Sequence, residues 1–241
     1  MHETDVTGPC LVSTPFGLLS SPAVPRTLPL LRRVLLLVAG SLLSSFCFAL
    51  TIRAGLGLGP LFAVQDGLAG LTGISIGTAG IVMGLMVVAL SAGLRSWPGP
   101  GTFALPILGG VALNAMLPHL PEIHGTVVRL GVVVVATWLM ALGGAIIIRA
   151  SLGPAALDGV MLGIHRIVGL SLAPIRLGME AAMLAGGWLI GGSVGVGTIL
   201  TGLLIGPGLQ FWMRIVGDGT PAEVALDQPM VATSELVPAA A

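Results

Sequence analysis

The chain alternates long apolar runs with short breaks rich in polar residues and glycine. The long runs cover residues 34–52, 76–94, 102–117, 130–148, 175–190 and 198–215. Each approaches the ~20 residues that a helix needs to cross a ~30 Å hydrocarbon core, 102–117 and 175–190 being the shortest. Two briefer stretches, 60–71 and 155–168, are too short for an easy crossing. Their length predicts half-helices that re-enter the membrane, tilt within it or lie in its interface. Each follows a glycine-bearing entry, with Gly55, Gly57 and Gly59 before the first and Gly153 before the second. Gly73 and Gly169 stand where helix C-caps belong, and Ser75 and Ser171 where N-caps of the following spans belong.

The second half of this pattern repeats the first. A constant shift that brings Arg33 onto Arg129 also aligns Ile52-Arg53-Ala54 with Ile148-Arg149-Ala150 and Leu56-Gly57 with Leu152-Gly153, without a gap. It aligns Gly67 with Gly163, Gly73 and Ser75 with Gly169 and Ser171, and Gly101-Thr102 with Gly197-Thr198. Shared apolar composition explains matched Leu and Ala, but not ungapped matches at Arg, Gly, Ser and Thr. The expected organisation is an N-terminal tail at 1–31, membrane repeats at 32–118 and 129–216, a polar connecting loop at 119–128 and an acidic tail at 217–241, both tails disordered. Interrupted helices at matching positions of two halves are a sequence pointer to a transport site.

Composition narrows the class. Of 241 residues 55% are hydrophobic and 8% charged, against about 25% charged in soluble domains, too few to cover a soluble surface. Ten basic residues, all arginine, balance ten acids, so no basic footprint for nucleic acid exists. Cys10 and Cys47 form no metal signature, and no basic region precedes an apolar stretch in residues 1–29 as a secretory signal requires. The fold expected is an all-α integral membrane protein in the lipid bilayer, with three transmembrane helices and one half-helix per repeat. If the short segments do not cross, the repeats are inverted and both ends lie on the cytoplasmic side. Arg26, Arg32, Arg33, Arg95, Arg149, Arg166, Arg176 and Arg214 then share that side, leaving Arg53 and Arg129 outside, as the positive-inside rule asks. If they do cross, about eight spans form parallel repeats and the arginine bias weakens.

Ionisable groups inside a bilayer cost roughly 2.5–3.5 kcal/mol each on insertion scales, so the few present are candidates for function. Asp158 opens the second short segment, either as a group favoured by a helix N-terminus or as an ion or proton site. Asp66 lies within the first short segment and His165 late in the second. Arg176 and Glu180 stand four apart, on one helical face, as a self-neutralising pair or as a restrained proton carrier. The repeat-matched Arg53 and Arg149 either snorkel to head groups or gather an anionic substrate. Asn114 and Gln210 match each other and read as interhelical glue. No His-Glu-x-x-His, no P-loop lysine and no paired cysteines occur, so no enzyme, catalytic residue, metal or cofactor is expected.

Arg53-Ala54-Gly55-Leu56-Gly57-Leu58-Gly59-Pro60, Leu71-Thr72-Gly73-Ile74-Ser75-Ile76-Gly77, Asp158-Gly159, Gly163, His165-Arg166, Arg176, Glu180, Gly195-Val196-Gly197-Thr198 and Ile205-Gly206-Pro207 together resemble the bacterial YczE family, and more distantly YitT-type membrane proteins. The resemblance runs from about Arg32 to about Arg214. It implies a multi-pass protein of the bacterial inner membrane, and implies no substrate. Where the family's first repeat carries an aromatic residue and an aspartate, this chain has Leu61 and Phe62, so a two-fold pair of carboxylates would lack one member unless Asp66 supplies it. The function expected is transport of a small solute or ion through Asp158, Glu180, Arg176, His165 and Asp66. The alternative is a regulatory or assembly protein that recognises a partner, or a second copy, through lipid-facing small-residue grooves or its acidic tail.

Overall fold

The computed structural model describes residues 29–94, 99–153 and 156–216. The tails expected at 1–31 and 217–241 therefore lie outside the described residues, except that Leu30 and Leu31 open the first helix; Arg26 and Arg95 also lie outside. The described residues form eight α-helices: α1 Leu30–Ala54, α2 Pro60–Thr72, α3 Ile76–Gly93, α4 Pro100–Met116, α5 Thr126–Ala150, α6 Ala156–Val168, α7 Leu172–Leu189 and α8 Val196–Val216. A 3-10 turn, Leu117–His119, extends α4.

Local chemistry sets these limits. Pro60 and Pro100 occupy the first positions of α2 and α4, where a missing N–H costs nothing. Gly55 and Gly73, with φ of 62° and 72°, close α1 and α2 in the left-handed conformation that glycine enters freely. The Ser75 hydroxyl accepts from the Thr78 N–H and caps α3, whereas Ser171 holds the matching position at α7 without a side-chain cap bond.

Helices α1, α3, α5, α8 and Pro100–His119 are long and apolar enough to cross a membrane. The sixth span expected at 175–190 is not among them. It forms α7, an 18-residue helix, but Arg176 and Glu180 dilute its apolar length. Across the long helices the packing is inverted relative to a soluble core. Large apolar side chains such as Leu35, Phe46, Val135 and Leu203 face outward, while Ser41, Ser45, Thr51, Thr102, Thr137 and Thr198 are buried. Lipid is as apolar as leucine, so small and hydroxyl-bearing residues gather where helices touch.

Helices α1 and α5 form the centre and run antiparallel. Arg33 near the start of α1 donates from Nε to the Ala150 carbonyl at the end of α5, 2.9 Å away, and from Nη2 to Ser151. At the other end, Gly55 lies beside the Arg129 guanidinium. Midway, Gly40 meets Gly143 so closely that a Cβ on Gly40 would lie 2.8 Å from the Gly143 carbonyl oxygen. Helix α4 packs parallel to α1, through Ser45 to the Gly109 carbonyl (3.1 Å) and Arg53 Nη2 to the Leu117 carbonyl (2.7 Å). Helix α8 packs on α5, with Trp212 donating to the Trp138 carbonyl at 3.0 Å.

The connections tie α1 and α5 to these outer helices in the same way. The Gly197 N–H donates to the Leu56 carbonyl at 2.7 Å, and the Gly101 N–H to the Leu152 carbonyl at 2.9 Å. Thr198 accepts from the Gly195 N–H at 3.1 Å, and Thr102 from the Gly99 N–H at 3.2 Å. These contacts give the bundle two ends. The near end holds the starts of α1 and α4 and the end of α5; the far end holds the end of α1 and the starts of α5 and α8.

Helix α2 starts beside the amino end of α8 and leads to the amino end of α3, whose Gly77 N–H donates to Asn114 Oδ1 near the end of α4. Both those ends lie at the far end, so α2 does not cross the bundle. It packs against the last turn of α7 through Gly67 and Ile190. Helix α6 packs against the last turn of α3 through Gly163 and Leu94.

Candidate functional site

Three of the ionisable residues singled out from the sequence meet. Asp158 in the first turn of α6 and Arg176 and Glu180 in the first half of α7 line one cavity of about 30 Å³, together with Leu157, Met161 and Met179. That volume holds about one water molecule. Helical spacing brings the residues in: 157, 158 and 161 share one face of α6, and 176, 179 and 180 one face of α7. Arg176 Nε donates to Glu180 Oε1 at 3.2 Å, the one-turn pair that their spacing predicted. The two side chains remain 61% and 43% exposed, so one side of the cavity is open. Helix α6 is outside the spanning set, and within it burial pushes the Asp158 carboxyl above the ordinary carboxylate range while the Arg176 guanidinium pulls it partly back.

Asp66 is not part of this cavity. Its Oδ2 accepts from the Ser193 N–H at 2.8 Å, in the link between α7 and α8 at the far end. Asp158 follows Gly153, which packs against Gly99 and Thr102 at the near end. Asp66 therefore stands at the opposite end of the bundle from Asp158 and cannot supply the second carboxylate beside it. His165 also lies apart: its Nδ1 is 2.6 Å from the Leu170 carbonyl, at the turn that ends α6. Arg53 is folded onto the protein through the Leu117 carbonyl, and its Nε is buried without a partner. Arg149 belongs to the last turn of α5. Asn114 acts as glue, accepting from the Gly77 N–H and donating to Thr78 Oγ1, both at 3.1 Å.

Met161 and Met179 were not singled out from the sequence, although each lies three positions from an ionisable cavity residue, which is the signal that finds them. Phe62, which stands where the resemblance calls for a carboxylate, stacks on Phe48 with ring centroids 3.9 Å apart. It belongs to the apolar core of Phe48, Ala49, Leu58, Ile76 and Leu113. A second hollow between α2 and α3, edged by Val64, Leu68, Met83, Met86 and Leu90, is apolar throughout. Among the described residues, no three His, Cys, Asp or Glu side chains gather into a group that could hold a metal ion. Cys47 is free and buried, and Cys10 lies outside the described residues.

Comparison with known proteins agrees with the membrane class. Residues 31–214 match the model of a family of unknown function, DUF6198. The chain is 33% identical over 180 residues to the uncharacterized membrane protein YczE of Bacillus subtilis, covering 72% of this chain and 81% of that protein. It is 29% identical over 167 residues to an uncharacterized protein of Haemophilus influenzae, covering 69% and 77%. No solved structure matches significantly.

Proposed function

The chain belongs to the DUF6198 family, a multi-pass membrane family whose activity is not established, and from that premise we propose that it is a non-enzymatic transporter-like protein that moves a small ion or solute past Asp158, Arg176 and Glu180. The observation that carries this reading is the convergence of the three charged groups, from two helices, on one cavity. Charge inside a membrane protein is expensive, and grouping it around a space for water is the arrangement that a polar pathway needs. The two carboxyl groups, Asp158 and Glu180, favour a proton or a cation as the species handled. At about 30 Å³ the cavity fits an ion or a water, and a larger solute requires it to open.

The architecture belongs to the same reading: two inverted repeats of three spanning helices and one half-helix. Its support is that α1 and α5, which the constant sequence shift matches, run antiparallel, and that the bonds from Gly197 to Leu56 and Gly101 to Leu152 recur at matched positions. Two matched helices of opposite direction imply a two-fold axis in the membrane plane, the plan of many secondary transporters. Non-crossing α2 and α6 are consistent with it and leave eight parallel spans unsupported. Arg32, Arg33, Arg149, Arg166, Arg176 and Arg214 fall at the near end and Arg53 and Arg129 at the far end, which favours a cytoplasmic near end in the bacterial inner membrane.

The test is flux. Purified protein in liposomes should dissipate a proton or cation gradient, and Asp158→Asn and Glu180→Gln should each abolish that flux while eluting as folded protein. A protein that leaves every ion and metabolite gradient untouched, or variants that retain full flux, overturns the reading. The small cavity volume favours a second reading, a regulatory or assembly protein with a packed interior. Reproducible co-purification of one membrane partner, without flux, decides for it.

A further inference from the structure

The two halves of the bundle differ in one large contact. Helix α3 lies along α4, whereas α7 and α8 have no comparable packing. The α3–α4 contact is close. A Cβ on Gly84 would lie 2.5 Å from Pro106 Cβ, and the Ile81 side chain covers Gly110. Asn114 bonds Gly77 and Thr78 across the same seam. Under the constant shift of the two halves, Gly84 corresponds to Glu180, Pro106 to Gly202, Ile81 to Leu177, Gly110 to Gly206 and Asn114 to Gln210. Large and small are exchanged at the first of these pairs: glycine faces proline between α3 and α4, and glutamate would face glycine between α7 and α8. The face that would receive α7 is vacant, since a Cβ on Gly202 or Gly206 would meet nothing within 4 Å. Leu177 and Gln210 are exposed.

Helix α7 is packed most closely at its carboxyl end, and at its amino end Ile175 is its buried residue. Gly187 and Gly192 pack against Ala63 of α2 at its carboxyl end, where a Cβ on Gly187 would lie 2.9 Å from the Ala63 carbonyl carbon. In its amino half, Arg176 and Glu180 line the cavity with α6 and stay 61% and 43% exposed. The amino half of α7 leaves this pair uncovered on the side toward α8, with which α7 makes no extensive contact. We propose that α7 pivots about its Gly187 end and closes onto α8 in the register that α3 holds on α4. Closure seats Glu180 over Gly202 and Leu177 over Gly206 and covers the cavity at Asp158. This rests on the inverted-repeat reading above, and makes the described arrangement the open member of a pair of states.

Cysteine pairing tests it, because two cysteines whose Cα atoms are more than about 7 Å apart cannot form a disulfide. In a background of Cys10→Ser and Cys47→Ala, Leu177→Cys with Gly206→Cys should form an intramolecular disulfide on mild oxidation in liposomes. Leu177→Cys with Ile215→Cys, exposed about half a helical circumference from Gly206 on α8, should pair at least tenfold more slowly. Both Leu177 and Gly206 sit in open space, so the variants keep the fold, and elution as a single species checks this. No disulfide, equal rates for the two pairs, or a band at twice the mass overturns the closure; the last outcome assigns the α8 face to a second copy. Spin labels at 177 and 206 give an independent readout, and one long distance with no short population overturns it as well. The disulfide reports closure whether or not any solute moves. A trapped protein without measurable flux in either redox state therefore removes the transport reading and leaves the closure standing.

Discussion

Arg33 reaches from the first turns of α1 to the Ala150 carbonyl that ends α5, 2.9 Å away, and so fixes the two central helices head to tail. With α2 not crossing, the chain passes α1, α3 and α4 before α5, which puts the loop between α4 and α5 at the end opposite both α1's start and α8's end. With the near end cytoplasmic, as proposed above, Glu122→Cys should react with a membrane-impermeant thiol reagent added to intact cells, while a cysteine at Arg32 or Arg214 reacts only after permeabilisation. Reaction of Glu122→Cys from the cytoplasmic side alone would contradict this arrangement.

The α1–α5 seam depends on the absence of side chains. Gly40 meets the Gly143 backbone and Ile147, and a Cβ on Gly143 would press on the Ser44 side chain and the Gly40 carbonyl. Gly40→Leu should cost about 1–3 kcal/mol by overpacking and lower the thermal midpoint in detergent. Gly131→Ala, in the same α5 but facing open space, should leave the midpoint unchanged or raise it. Equal behaviour of the two variants in a melting assay would show that the close approach does not hold the bundle.

Asp66 separates position in sequence from position in space. It anchors the α7–α8 link through the Ser193 N–H and lies far from Asp158. Asp66→Ala should lose about 1 kcal/mol of stability and keep flux, in contrast to Asp158→Asn. Abolished flux at full stability would make Asp66 part of the pathway and reverse its assignment to structure.

The helices and several of their ends are legible in the residues themselves. Gly73 and Ser75 end one helix and begin the next because left-handed backbone and an N–H-accepting hydroxyl are local properties of those residue types. The Arg176–Glu180 pair is equally legible, being set by one turn of helix. The standing of α7 was less legible: the same pair that marks it as a candidate site also lowers its apolar content below that of the spanning helices. Asp66 does not sit beside Asp158, because spacing along a chain says nothing about which end of a bundle a short non-crossing helix occupies.

The sequence by itself determined a helical membrane protein. A hydrocarbon solvent requires every backbone bond to be satisfied within a segment and every outward side chain to be apolar, and both demands are written residue by residue. The meeting of Asp158 with Arg176 and Glu180, the removal of Asp66 to the other end, and the separation of α7 from α8 were decided only by tertiary structure. Those outcomes follow from how closely helix backbones approach at Gly40, Gly84, Gly163 and Gly187. Such approach depends on the shapes of two surfaces far apart in the chain, and neither surface specifies it alone.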